Sequence, residues 1–220
     1  MSKFKKVAVV GAGAWGSALS VILSKNVPEV CVWARETEVV DSVAGKRENA
    51  VFLPGVKIPD NVVFLSDPKP VLAGAEIVVW VVPIHFLSRT AEGFSGYISS
   101  GTFMVNAGKG IEIGSWRRPS EILKAVSPQG AAFGSIMGPN IACEVAKGGY
   151  AEDVLAMDSH LAAVEVAEAF CTDSFKVRPS DDVIGVEIGA ALKNIVALGA
   201  GFCDGMKLGA NTKAIVMARG

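Results

Sequence analysis

A short β-branched run, Lys6 to Val10 (KVAVV), leads directly into Gly11-Ala12-Gly13-Ala14-Trp15-Gly16, and no other feature of the chain restricts its fold as tightly. A strand that ends in G-x-G-x-x-G at the start of a helix needs each glycine for a separate reason. The first allows a tight turn, the second lets backbone amides approach a pyrophosphate, and the third lets the helix pack against the strand. The helix N-terminus then faces the phosphates with its unpaired amides. The placement predicts a dinucleotide site at Gly11, Gly13, Ala14, Trp15 and Gly16; a purely structural glycine turn is the alternative.

Around this turn the chain repeats strand, crossover, strand. Gly16 to Lys25 has helix-favouring spacing and Val30 to Trp33 (VCVW) reads as a second strand, completing one such unit within about 30 residues. Further apolar runs at Ile77 to Val82 (IVVWVV), Thr102 to Val105 and Ala132 to Ile136 are separated by helical patterning or turn residues. The pattern predicts an α/β fold, a Rossmann-like, doubly wound and mainly parallel sheet. Between Gly45 and Pro70 the density of Pro, Gly, Asp and Asn predicts a long loop with a short edge strand. Leu161 to Phe170 reads as a helix, Phe175 to Val177 as a strand, and Arg178 to Asp182 as a polar break that caps the next helix. A boundary at that break gives a Rossmann domain over 1–180 and the first helices of a second domain over 181–220. There Val183 to Gly201 is rich in Ala, Gly and Val, with Gly185, Gly189 and Ala190 permitting close helix packing.

Charge excludes classes more than it selects one. Across 220 residues, 21 Lys+Arg stand against 22 Asp+Glu, leaving a net charge of -1 and no electrostatic footprint for nucleic acid. A 50% hydrophobic composition excludes disorder. The mean hydropathy of +0.41 raises the question of a membrane. Glu76, Pro83 and His85 interrupt one apolar stretch, and Glu187, Lys193 and Asn194 the other, so neither offers about 18 uncharged residues and no transmembrane segment is expected. The polar, basic start and the lack of a small-residue cleavage site predict a cytoplasmic protein. Cys31, Cys143, Cys171 and Cys203 form no Cys-x-x-Cys pair, and His85 and His160 are the only histidines. Neither a metal site nor a disulfide framework is predicted, and the cysteines are expected to act as small buried hydrophobes.

At the end of the second strand, where a dinucleotide's ribose is read, the chain has Trp33-Ala34-Arg35-Glu36. Ala34 stands where an acidic residue would select NAD, and Arg35 is placed to stack on adenine and pair with a 2′-phosphate. NADP(H) is therefore favoured, while Glu36 keeps NAD(H) open; the plain alternative for Arg35 is an exposed loop residue. A lysine inside an apolar helix, Lys193, reads on the residues alone as either a functional group or a snorkelling surface cation.

Several motifs then occur in one order: Gly11 to Gly16 with Trp15, Val82-Pro83, Asn106-Ala-Gly-Lys109-Gly110, Gly138-Pro139-x-x-Ala142-x-Glu144, Gly189-Ala-Ala-Leu-Lys193-Asn194, and Asn211-Thr212-Lys213-Ala214. Together they resemble NAD(P)-dependent glycerol-3-phosphate dehydrogenase of the bacterial type, over essentially the whole chain. The resemblance implies reduction of dihydroxyacetone phosphate to sn-glycerol 3-phosphate for phospholipid synthesis, and makes 181–220 the start of an all-α substrate domain. It makes Lys193 the catalytic lysine, the proton donor or acceptor at the substrate's C2 oxygen. Burial among Ala and Gly is expected to lower its pKa. It gives substrate binding to Lys109, Gly138, Asn140 and Asn194, and cofactor contact to Pro83, Phe86, Lys109 and Ala142 beside the glycine turn. Asn140 departs from a common Ser, as does Ala14, which costs the cofactor one hydrogen bond of about 1 kcal/mol. His85 is expected in a surface role and Trp80 in the core.

Family members continue through a longer helical domain that supplies an Asp near the lysine and an Arg-Asn pair for the phosphate. The chain is accordingly expected to be a fragment of a larger product or a degenerate form, with its two last helices exposed, paired in a homodimer or completed by another copy. Two other readings are a non-catalytic dinucleotide-binding module and, less favoured, a dehydrogenase for a hydroxy acid or sugar acid.

Overall fold

Short apolar strands that all point the same way must be joined by crossovers, and the chain alternates accordingly. Its structure, a computed structural model, describes residues 2–128 and 130–219. In order, the first half holds β1 (Lys6–Val10), α1 (Ala14–Leu23), β2 (Glu29–Trp33), α2 (Thr37–Lys46), β3 (Val62–Leu65), α3 (Pro68–Leu72), β4 (Ile77–Trp80) and α4 (Ile84–Phe94). There follow β5 (Phe103–Asn106), α5 (Pro119–Val126), β6 (Ala132–Met137), α6 (Ala142–Ala146), β7 (Ala151–Met157), α7 (His160–Phe170), β8 (Phe175–Ser180), α8 (Val183–Gly205) and α9 (Gly209–Arg219). Among the described residues these strands form one sheet of order β3-β2-β1-β4-β5-β6-β7-β8. The first six are parallel, β7 runs antiparallel to β6, and β8 is parallel to β7. The fold is the Rossmann-like, mainly parallel sheet that the glycine turn predicted.

The central strands lack a polar face because both faces are buried, whereas the edge strand β8 exposes Lys176 and Arg178. Val7, Val9, Ile77 and Val79 enter one core, with Leu19, Ile22 and Leu23 of α1 and Val166 and Phe170 of α7. Their neighbours Ala8, Val10, Val78 and Trp80 enter the other, against Leu87 of α4 and Leu123 of α5. Trp80 is a core residue, as expected, with its indole N–H unpartnered. His85 is exposed at the start of α4.

Several boundaries fall elsewhere than the pattern indicates. The edge strand expected in the proline-rich segment is β3, but Pro68 and Pro70 start a helix rather than break one. Pro lacks the N–H that a first helical turn leaves unpaired, and the Asp67 side chain accepts from Lys69 N at 3.0 Å. β4 ends at Trp80, although Val81 N still donates to the Val10 carbonyl of β1 at 2.8 Å. The polar break after Val177 is instead the end of β8, where Pro179 is tolerated on an edge strand. Asp182 does cap the next helix, accepting from Gly185 N at 2.8 Å. β7 was not foreseen, because Glu152 and Asp153 disguise a strand whose other residues are apolar. The cysteines also differ from expectation: Cys31 and Cys203 are buried, but Cys143 is exposed and Cys171 half-buried. Burial pushes the Cys31 thiol up to about 11.

The last two helices stand largely open. Of the 23 residues of α8 only Glu187 and Cys203 are buried, and α9 buries none. By length and composition α8 is apolar enough to cross a membrane, with a mean hydropathy of 1.6 despite Glu187 and Lys193. Its first turns are nevertheless fastened to the sheet, because the Glu187 carboxylate is bonded to Ser120 and Ser135 and paired with Arg118.

The turn after β1 is closed backbone against backbone. A Cβ on Gly16 would lie 1.9 Å from the Gly11 carbonyl oxygen, and one on Gly11, whose φ is +116°, would lie 2.6 Å from the Val81 oxygen. Nothing lies within 4 Å of a Cβ placed on Gly13. Gly16→Ala should therefore cost at least about 2 kcal/mol in urea unfolding, whereas Gly13→Ala should stay within roughly 0.5 kcal/mol of the parent. Similar losses in the two variants would contradict this division of roles.

Candidate functional site

The C-terminal ends of β1, β4, β5 and β6 open onto a cleft of about 320 Å³, bounded by Ala14 and Trp15 from the glycine turn and by Val81 to Pro83 after β4. Its other wall is Ala107 to Lys109 after β5, with Gly138, Asn140, Ala142 and Asp153 beyond β6. Open α/β sheets bind ligands along this edge. A second cleft of about 390 Å³, which includes Lys3, Gly74, Glu76 and Ser100, lies at the opposite ends of the strands and holds neither the glycine turn nor Lys109.

One side of the main cleft is suited to a dinucleotide. Gly13 precedes α1 with no side-chain cap, so the first amides of the helix have no side-chain partner there. Open space beside Gly13 leaves room for a pyrophosphate to approach the backbone. Trp15 packs on Phe175 with ring centroids 6.4 Å apart. Buried Asn49 braces the turn from below, donating to the Ala12 carbonyl and to Ser17 Oγ, both at 2.8 Å. Sequence reading passed over Asn49, since it lies in a segment marked only as irregular.

The other side carries charge. Lys109 Nζ donates to the Gly138 carbonyl at 3.1 Å. Burial, then the nearby Lys193 ammonium, hold the pKa of Lys109 below the ordinary lysine value, with Asp153 opposing them. Asn140 Nδ2 donates to Asp153 Oδ1 at 2.5 Å. A Cβ on Gly138 would lie 1.8 Å from the same oxygen and 2.7 Å from the Glu152 carbonyl oxygen, so only glycine fits there. Asp153 is 1% exposed, and its Oδ2 and the Asn140 Oδ1 have no partner. A buried carboxyl with a perturbed proton in a cleft is a functional-site signal. The residue types alone gave a hint of it, an aspartate within an apolar strand, but the strand itself had not been recognised.

The sequence-derived site thus assembles in part. Ala14, Trp15, Pro83, Lys109, Gly138, Asn140 and Ala142 line one cleft. Gly11 and Gly16 shape the turn without facing it. Phe86 lies on α4, 48% exposed and against His85. The Arg35 side chain, 71% exposed, donates from Nε to Glu36 Oε1 at 2.9 Å. Lys193 and Asn194 are exposed on α8, where Lys193 Nζ donates to Asn194 Oδ1 at 2.8 Å. The expected burial of Lys193 is not found, because α8 turns most of its length to solvent; the lysine that burial affects is Lys109. Among the described residues no cluster of His, Cys, Asp and Glu is arranged to hold a metal ion.

Burial raises the Asp153 carboxyl from 3.8 to about 6, outweighing the opposing effects of the Asn140 hydrogen bond and the Lys109 charge. The folded protein therefore keeps this proton up to about pH 6, whereas the unfolded chain loses it near pH 4. Its contribution is fully present below the unfolded value and is lost as pH rises through the folded one. Asp153→Asn should be the more stable protein above pH 7, by up to about 3 kcal/mol, with the difference vanishing towards pH 3. Urea unfolding across that range checks it, and a pH-independent difference would contradict it.

Residues 6–163 match the family described as NAD-dependent glycerol-3-phosphate dehydrogenase N-terminus, and 182–220 the one described as its C-terminus. A glycerol-3-phosphate dehydrogenase [NAD(P)+] of Pelodictyon phaeoclathratiforme is 40% identical over 217 residues, covering 97% of this chain and 65% of its own. The Citrifermentans bemidjiense protein of the same name is 38% identical over 218 residues, covering 98% and 65%. A solved Plasmodium falciparum glycerol-3-phosphate dehydrogenase superposes with a TM-score of 0.89 at 29% identity, covering 99% of this chain and 63% of that one. The chain spans about two-thirds of the length of such relatives, and it belongs to the NAD-dependent glycerol-3-phosphate dehydrogenase family.

Proposed function

We propose that this chain carries the cofactor site and part of the substrate site of an oxidoreductase that converts dihydroxyacetone phosphate to sn-glycerol 3-phosphate. The observation that carries the reading is the single cleft in which the glycine turn faces Lys109, Gly138 and Asn140. The turn and the amides of α1 hold the pyrophosphate of NAD(P)H, which supplies the hydride when bound. Pro83, Phe86 and Ala142 bound its nicotinamide half. Lys109 and Asn140 orient the substrate, and Asn194 meets its hydroxyl or phosphate oxygens. The Lys193 ammonium stabilises the charge that develops on the C2 oxygen and gives that oxygen its proton.

Arg35 supports a preference for NADP(H), since its exposed guanidinium can exchange Glu36 for a 2′-phosphate. A cytoplasmic location, no membrane-spanning role for α8, and a homodimer through the exposed faces of α8 and α9 complete the reading. A second reading, a dinucleotide-binding module without turnover, is favoured by the exposure of Lys193 and Asn194 outside the cleft.

NADPH oxidation with dihydroxyacetone phosphate separates the two, run beside fluorescence titration of the cofactor. Lys193→Ala should leave NADPH affinity within about threefold and abolish turnover, a pattern expected when a group acts in the chemical step rather than in binding. Cofactor binding without Lys193-dependent turnover would favour the module instead. Arg35→Ala should weaken NADPH by about tenfold and NADH far less, the scale of one charge-assisted contact; equal losses would remove Arg35 from the 2′-phosphate.

A further inference from the structure

The two lysines of the proposed site stand on elements 84 positions apart in sequence, yet one buried chain of hydrogen bonds joins those elements. It starts at Glu187 in α8, whose carboxylate is 1% exposed. Oε1 accepts from Ser120 N at 2.8 Å and from Ser135 Oγ at 2.7 Å, while Oε2 accepts from Ser120 Oγ at 2.8 Å and Arg118 Nη1 at 3.0 Å. All the acceptor capacity of the carboxylate is used.

Ser135 has a single hydroxyl proton, and giving it to Glu187 leaves its oxygen as an acceptor. Asn106 Nδ2 donates to that oxygen at 3.3 Å from the directly paired position on β5. Asn106 then clasps the turn beyond its strand, donating from Nδ2 to Gly108 O at 2.7 Å and accepting at Oδ1 from Gly108 N at 3.0 Å. A Cβ on Gly108 would lie 3.3 Å from that oxygen and 2.7 Å from the Val82 carbonyl, so the turn has little slack. The next residue is Lys109. Donor and acceptor counts match at every step, which is the condition under which a buried polar network specifies one geometry rather than several.

Resting on the reading of Lys109 and Lys193 as the substrate-facing pair, we propose that Glu187, Ser135 and Asn106 form a buried relay that fixes the lysine-bearing helix against the lysine-bearing turn. All three are positioning residues and none touches the substrate. Ser135 is the joint, because it is the one side chain bonded to both halves.

The relay makes a claim that a simple helix anchor does not: a change at Glu187 must be felt at Gly108. Amide hydrogen exchange of the full chain reads this without requiring turnover, and NADPH titration of each variant reports separately on the cofactor site. Ser135→Ala removes only the joint, and should speed exchange of the Gly108 amide by about tenfold. Glu187→Ala should do the same from the other side. Glu187→Gln should fall between the parent and Glu187→Ala, because its amide oxygen still accepts from Ser135 while its NH2 meets the Arg118 donor. With the joint already missing, adding Glu187→Gln or Glu187→Ala should change Gly108 by less than about twofold. The proposal is overturned if Glu187→Ala loosens α8 while Gly108 exchanges as in the parent, or if Ser135→Ala leaves Gly108 protected. Should Glu187→Ala fail to fold, Ser135→Ala alone decides the matter, since it deletes one buried hydroxyl and leaves the Arg118 pair intact.

Discussion

The contact on which the rest depends is backbone on backbone. Gly11 and Gly16 let the entrance of α1 close onto β1 and the Val81 carbonyl, at separations where any Cβ would collide. From that closure follow the height of α1 above the sheet, the exposure of its first amides and the position of Trp15 over Phe175. Asn49 ties the loop after α2 to that turn. The nearby core is built from side chains that tolerate exchange of shape, whereas the turn is not.

Most of the sheet was legible in the sequence, because parallel strands buried on both faces are continuous apolar runs and glycines mark where they end. β7 was hidden for a physical reason: Glu152 and Asp153 are tolerated in it, one by an ion pair with Arg178, the other by the Asn140 amide and a carboxyl whose proton is held by burial. The site divides in the same way. Motif spacing picked out residues that line the cleft, among them Ala14, Pro83, Gly138 and Ala142. It passed over Asp153, Asn49 and Glu187, whose roles exist only through partners distant in sequence.

Within the cleft Lys109 stands near the buried acid Asp153, and the exposed Lys193 acts on Lys109 from outside it. Desolvation and the neighbouring Lys193 both work against the charge on Lys109, and Asp153 supports it.

The reversal of the last two strands has a consequence for direction. Strands β1 to β6 all run towards the ligand edge, but β7 and β8 run away from it. The chain therefore leaves the sheet pointing away from the cleft, and α8 has to travel back along β6 and β7 to return. A helix advances 1.5 Å per residue, so the ammonium-bearing residue six positions beyond Glu187 lies about 9 Å further along that return path. Had β7 been parallel to β6, the same helix would have started at the ligand edge and carried its lysine out of reach.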